Sequence, residues 1–174
     1  MADVYAVFGT LLALGIAFPG LLTATWLLFP GAVGRATLRV SATPARSFFF
    51  GGAAVALTAI LVALMNALPL GITKLIGTLM AFAAFGIATL GAAAIAAEMG
   101  ERLREQGMPS LSAAAAFVRG ALALELSAAF PIVGWFLVIP GVLLTGYGAG
   151  LFALLRWLPR SQPSPRPDVV STPA

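Results

Sequence analysis

Residues 47–73 read SFFFGGAAVALTAILVALMNALPLGIT, from Ser47 to Thr73, without one ionisable side chain. A helix crosses the hydrocarbon core of a bilayer in about 20 apolar residues. The stretch is longer than that, and Pro69 and Gly71 near its end break a helix and leave a tight turn. The reading is a span from about Phe48 to Leu68, a turn over Asn66-Ala67-Leu68-Pro69-Leu70-Gly71, and a second span from about Ile72 to Ala97. Together they form an antiparallel hairpin.

The rest of the chain follows the same rule. No ionisable residue lies between Asp3 and Arg35, between Lys74 and Glu98, or between Glu125 and Arg156. Of 174 residues, 60% are hydrophobic and 9% charged, against about a quarter charged in a soluble domain. A soluble globule with so few charges would expose one continuous apolar surface and aggregate. The composition excludes a soluble enzyme, a nucleic-acid-binding domain and a disordered chain. It predicts an all-α, polytopic transmembrane bundle over residues 1–160.

Aromatic residues mark the outer spans, because Trp and Tyr favour the membrane–water interface. Tyr5 and Trp26 are 21 residues apart and Trp135 and Trp157 are 22 apart, about 31 and 33 Å of helix at 1.5 Å per residue. These four act as interface anchors for a first span near 5–29 and a last span near 134–157. The span after the hairpin turn continues into water, where Glu98 and Arg102 stand four apart and can pair. Gly107 and Pro109 end it, and Ser110 is the expected N-cap of the next helix.

That next segment, Leu111–Ala129, decides the topology. If it stays outside the membrane, the positive charges divide six against four between the two faces. If it crosses or enters deeply and turns at Phe130-Pro131-Ile132-Val133-Gly134, Arg156, Arg160 and Arg166 join Arg35, Arg39, Arg46, Arg102 and Arg104. The division is then eight against one, with Arg119 left within the membrane. Basic residues concentrate on the cytoplasmic face, so the second arrangement is favoured. It gives four clear spans plus a membrane-entering helix that forms a C-terminal helical hairpin, five helices in all. The N-terminus is outside, the C-terminus cytoplasmic, and the location the bacterial inner membrane. Without Lys or Arg before its apolar run, the N-terminus reads as an uncleaved anchor rather than a cleaved signal peptide. Residues 161–174, with four prolines, read as a flexible tail.

Small residues predict where helices touch. Gly146 and Gly150 form a small-xxx-small pair on one helical face, and Gly86 and Gly91 lie in an Ala-rich third span lean enough to pack on several sides. Thr145-Gly146-Tyr147-Gly148 has the outline of a potassium filter but lacks a residue between Thr and Gly and lies inside a span. Pro19-Gly20 and Pro140-Gly141 predict bends in the first and last spans.

Polar groups at membrane depth are the first place to look for function. Two qualify, Arg119 and Glu125. They are six residues apart, so they do not pair simply within one helix. Asn66 and Lys74 flank the hairpin turn and belong to the headgroup region.

The chain has no histidine and no cysteine, which removes the usual zinc, haem and iron–sulfur ligands, the usual general base and any thiol nucleophile. No residue set for intramembrane proteolysis is present, and no enzymatic activity is expected. No cofactor ligated by His or Cys and no metal site is expected either; contacts with lipid or pigment would run through packing, backbone carbonyls or water.

Arg46-Ser47-Phe48-Phe49-Phe50-Gly51, Leu124-Glu125-Leu126 and Pro131-Ile132-Val133-Gly134-Trp135 together resemble a loose class of bacterial polytopic membrane proteins, over most of residues 30–157. In that class an Arg-Ser-aromatic run opens a span, and a Leu-Glu-Leu run precedes a Pro-x-Val-Gly-Trp turn. The resemblance implies a multi-span bundle ending in a broken helical hairpin, and implies no activity. This chain departs from the class in having few polar loop residues.

The expected function is a non-catalytic integral membrane subunit that packs against other membrane proteins and stabilises a larger assembly, such as a photosynthetic or respiratory complex. Its partners would be membrane lipids and those proteins, not nucleic acid. The alternative is a small transporter, channel or ion-coupled module using Glu125 and Arg119.

Overall fold

The computed structural model of the chain describes residues 2–107 and 109–157. Among the described residues there is no strand. The helices are α1 (Ala2–Leu28), α2 (Pro30–Ala42), α3 (Pro44–Ala67), α4 (Gly71–Gly107), α5 (Ala113–Ala129) and α6 (Ile139–Leu154), and a π-helical turn over Gly134–Val138 leads into α6. By length and composition α3, α4 and the continuous helix Gly134–Leu154 can each cross a membrane. A fourth span results if Gly15–Leu28 and Pro30–Ala42 are taken as one bent segment. The chain is compatible with a multi-pass membrane protein. The expected tail, residues 161–174, lies outside the described residues.

Two prolines define α2, a helix between the first two expected spans. A residue before proline is pushed out of the helical region. Phe29 takes φ −126° before Pro30, and Thr43 takes φ −144° before Pro44. Each proline then starts a helix, where its missing N–H costs nothing. The first break bends the chain by 107°. α2 buries Val33 and Ala36 and holds Arg35 and Arg39 half-buried beside them. It bridges the Arg-rich ends of α4 and α6: Thr37 Oγ1 donates to Ala94 O at 3.4 Å, and Arg35 Nε donates to Ala153 O at 3.0 Å.

α3 and α4 form the expected antiparallel hairpin, with Asn66 and Met65 against Gly77. Asn66 donates Nδ2 to Val62 O at 2.9 Å, a local turn role. α4 is the central helix and touches all five others. Its stretch Thr89–Ala94 is continuously buried. Beyond the bundle α4 continues as expected, with Arg102 Nε 2.9 Å from Glu98 Oε1.

α5 lies antiparallel on α4, with Gly100 against Ala116 and Gly120 against Ala96. Its cap is Ser112, whose hydroxyl accepts from Ala115 N–H at 3.2 Å; the expected cap at Ser110 is two residues too early. At its far end Gly134 folds back onto Ala128, and the chain returns toward the Arg-rich end through the π turn and α6. The π turn precedes Pro140, whose ring cannot fit behind the carbonyl of a regular preceding turn. The wider turn is closed by Ile139 N–H on Gly134 O. α5 and α6 thus form a hairpin with both ends at the Arg-rich end. Ala128 and Ala129 line a cleft together with Phe85, Ala88 and Thr89 of α4. From Ala84 down to Gly71, α4 runs on for roughly 20 Å with α3 beside it. The exposed Leu75, Leu79 and Phe82 of α4 and Leu57, Ile60 and Leu64 of α3 stud this part of the hairpin.

α6 ends in a C-terminal motif rather than simply running out. Arg156 takes φ 55°, and Trp157 N–H bonds Phe152 O at 2.9 Å. This six-to-one bond places Trp157 back over Phe152, with ring centroids 6.1 Å apart, the apolar contact that accompanies such caps.

Candidate functional site

Small residues set how closely the helices approach, and that spacing forms the site. Gly91 of α4 lies directly on Gly146 of α6, and a Cβ on Gly91 would collide with the Gly146 backbone. One turn on, Gly150 faces Ile87 O, which would stand 2.6 Å from an added Cβ. The predicted pair Gly146 and Gly150 therefore faces α4. Gly148, on the other side of α6, lies against Ser47 O and Gly51 of α3. α6 is wedged between α3 and α4, with glycines on both flanks. Gly86 takes no part: it is exposed, with open space where a Cβ would be. Thr145–Gly148 stays helical and offers no filter; Tyr147 is buried, with its hydroxyl 3.0 Å from Thr58 Oγ1.

Where α5 and α6 diverge from α4, a cleft of about 510 Å³ opens. Phe18 of α1, Phe85, Thr89 and Ala92 of α4, Leu124, Glu125 and Ala128 of α5, and Val138 and Val142 on the way into α6 line it. Among the described residues, Glu125 and Thr89 are the only polar side chains in that wall. Thr89 already donates its hydroxyl to Phe85 O at 2.9 Å. Glu125 is half-buried, with Oε1 close to Gly15 of α1, 3.5 Å from where a Cβ would stand there. Its Oε2 is buried and has no hydrogen-bond partner among the described residues. Gly15 also lies four residues before Pro19, which has no N–H to give its carbonyl. α1 continues through Pro19, and Thr23 Oγ1 donates to Pro19 O at 2.7 Å.

Arg119 does not join Glu125. It is exposed and lies beside Gly120, which packs on Ala96 and Gly100 of α4, next to the charged extension that begins at Glu98. It thus stands toward the Arg-rich end of the bundle, away from the cleft.

Of the four predicted anchors, Tyr5, Trp135 and Trp157 are exposed. Trp135 stands at the tip of the α5–α6 hairpin, at the start of the continuous helix Gly134–Leu154. Trp26 is turned inward and stacks on buried Phe117, with centroids 4.9 Å apart.

A second polar cluster was not anticipated. Arg39 places its guanidinium carbon 4.2 Å from the centroid of the Phe152 ring, which is stacked on Phe50 at 4.5 Å. Arg35 bonds the Ala153 carbonyl at the same end of α6. Both cations meet the negative end of the α6 dipole. The recurrence of Val33, Ala36, Thr37 and Val40 at helical spacing, with Arg35 and Arg39 between them, was the signal for this helix in the sequence.

No family model, no curated protein and no solved structure matches this chain.

Proposed function

We propose that the protein is a non-catalytic, multi-pass membrane subunit that packs against other membrane proteins through the protruding half of the α3–α4 hairpin. The observation that carries this reading is the contrast along α4. Its Arg-rich half is buried in glycine and alanine contacts, and its other half presents Leu75, Leu79 and Phe82 outward. In this reading α1, α3 and α4 cross the membrane and α2 lies along its surface. The α5–α6 hairpin enters and leaves from the Arg-rich side. That side then holds the arginines among the described residues and the opposite side holds Lys74, the bias expected of a cytoplasmic face. The N-terminus is outside, in the inner membrane of a bacterium. A photosynthetic or respiratory complex is an assembly of the right kind. No catalytic role is assigned to any residue.

A photo-crosslinking residue at Leu79 should capture one defined membrane protein in native membranes, and the same residue at Leu38 on exposed α2 should not. Recovery of an uncrosslinked monomer from both positions overturns the proposal. Transport remains the second reading, because Glu125 keeps a buried oxygen without a donor. Ion flux in liposomes that is identical in Glu125→Gln counts against it.

A further inference from the structure

The cleft beside Glu125 has a composition that selects its ligand. Among the described residues its wall is apolar apart from one carboxylate and one hydroxyl already engaged with the backbone. A buried carboxylate oxygen without a donor is unfavourable, and two things relieve it, a proton or a cation. Hydrated metal ions are poor candidates, because calcium and magnesium require about six oxygen ligands and this wall offers far fewer. A neutral lipid tail would fill the apolar volume and leave Oε2 of Glu125 as it is. A large cation of low charge density satisfies both features at once. Its apolar substituents match the walls, its charge meets the carboxylate, and the rings of Phe18 and Phe85 can face it as well. The volume of about 510 Å³ falls among ordinary small-molecule sites, which measure about 300–1,000 Å³.

We propose that this cleft, between α1, α4, α5 and α6, binds a hydrophobic organic cation of the quaternary ammonium or phosphonium class, with Glu125 as its counter-charge. The site uses no residue of the protruding α3–α4 half, so it stands or falls separately from the subunit reading.

Tetraphenylphosphonium is a suitable probe, with neutral triphenylmethane as the uncharged comparison. Equilibrium dialysis of the purified full chain should show saturable binding of the cation at one site. Glu125→Gln should weaken it by at least about tenfold, while Glu125→Asp, which keeps the charge, retains most of it. Ala128→Phe, which fills the cleft and leaves Glu125 in place, should also abolish binding. Size-exclusion profiles identical to the parent chain establish that each variant is folded, and Glu125→Asp serves if Ala128→Phe is not. Equal affinity in Glu125→Gln, equal competition by triphenylmethane, or no saturable binding to the parent chain would each overturn the proposal. Loss of the crosslink at Leu79 with cation binding intact would overturn only the subunit reading.

Discussion

Gly91 and Gly86 lie five residues apart on α4, and replacing each with alanine separates packing from helix propensity. In a helix interior alanine is favoured over glycine by about 0.5–1 kcal/mol, whatever surrounds it. At Gly86 nothing lies within 4 Å of the new Cβ, so only that gain remains. At Gly91 the three nearest atoms all belong to the backbone of Gly146, and no rotamer change can move a backbone. Relief requires α6 to withdraw. It is held on its other flank, where Gly148 lies against Ser47 and Gly51 of α3. Overpacking of this kind costs about 1–3 kcal/mol, and the confinement of α6 puts the cost at the upper end. Subtracting the propensity gain, Gly91→Ala should lose about 2 kcal/mol. Unfolding of the purified protein in mixed micelles, titrated with sodium dodecyl sulfate, measures the difference. Gly86→Ala should unfold at the same or slightly higher detergent fraction than the parent, and Gly91→Ala at a clearly lower one. Coincident curves for the two variants would refute the wedge.

Three further perturbations probe other contacts in the same assay. Trp26→Ala and Phe117→Ala, combined in a double-mutant cycle, should show a coupling of about 1 kcal/mol from their stacked rings; additivity would mean the rings do not interact. Arg35→Gln removes a charged donor from the Ala153 carbonyl and should cost about 1.5 kcal/mol, with hydrogen exchange rising first over the last turn of α6; uniform exchange would place the effect elsewhere. Tyr147→Phe loses the bond to Thr58 and should cost only about 0.6 kcal/mol, the usual worth of an interhelical hydrogen bond in a membrane; a loss above 2 kcal/mol would mean that the hydroxyl serves a larger network.

Much of the fold is legible because the membrane requirement is strict. A charge-free run of the right length has few alternatives to a helix, and the α3–α4 hairpin follows from Pro69, Gly71 and the runs on either side. The pair Gly146 and Gly150 was legible from its spacing, and α6 does place both against α4. Gly86 satisfied the same composition argument and touches nothing, because helical period says which residues share a face, not which face meets a neighbour. The partners Gly51, Gly100 and Gly120 sit on α3, α4 and α5 at crossings that only the three-dimensional arrangement defines. α2 was missed for another reason. Its arginines speak to topology, while the helix itself is encoded in the apolar period between them. Position along the bundle was the least legible quantity. Arg119 sits mid-segment in an apolar run, but α5 starts well outside the buried half of α4, and its seventh residue is still near the charged extension. Glu125, six residues later, reaches the cleft.

The distribution of side-chain size along α4 links these points. From Thr89 to Gly100 the helix is built largely of Ala and Gly, and there α1, α2, α5 and α6 all reach it. From Ile72 to Phe82 large apolar residues recur and are exposed. In water such a surface would drive association simply by leaving solvent. In lipid that driving force is absent, and association depends on close packing and on polar contacts. Bulky faces alone therefore do not require a protein partner on that half of α4. A partner gains most from this surface if it supplies the small residues that α4 withholds there. The proposed crosslink at Leu79 is thus expected on a glycine- or alanine-rich helix, and recovery of no crosslinked protein there would argue that lipid is the natural neighbour of the protruding hairpin.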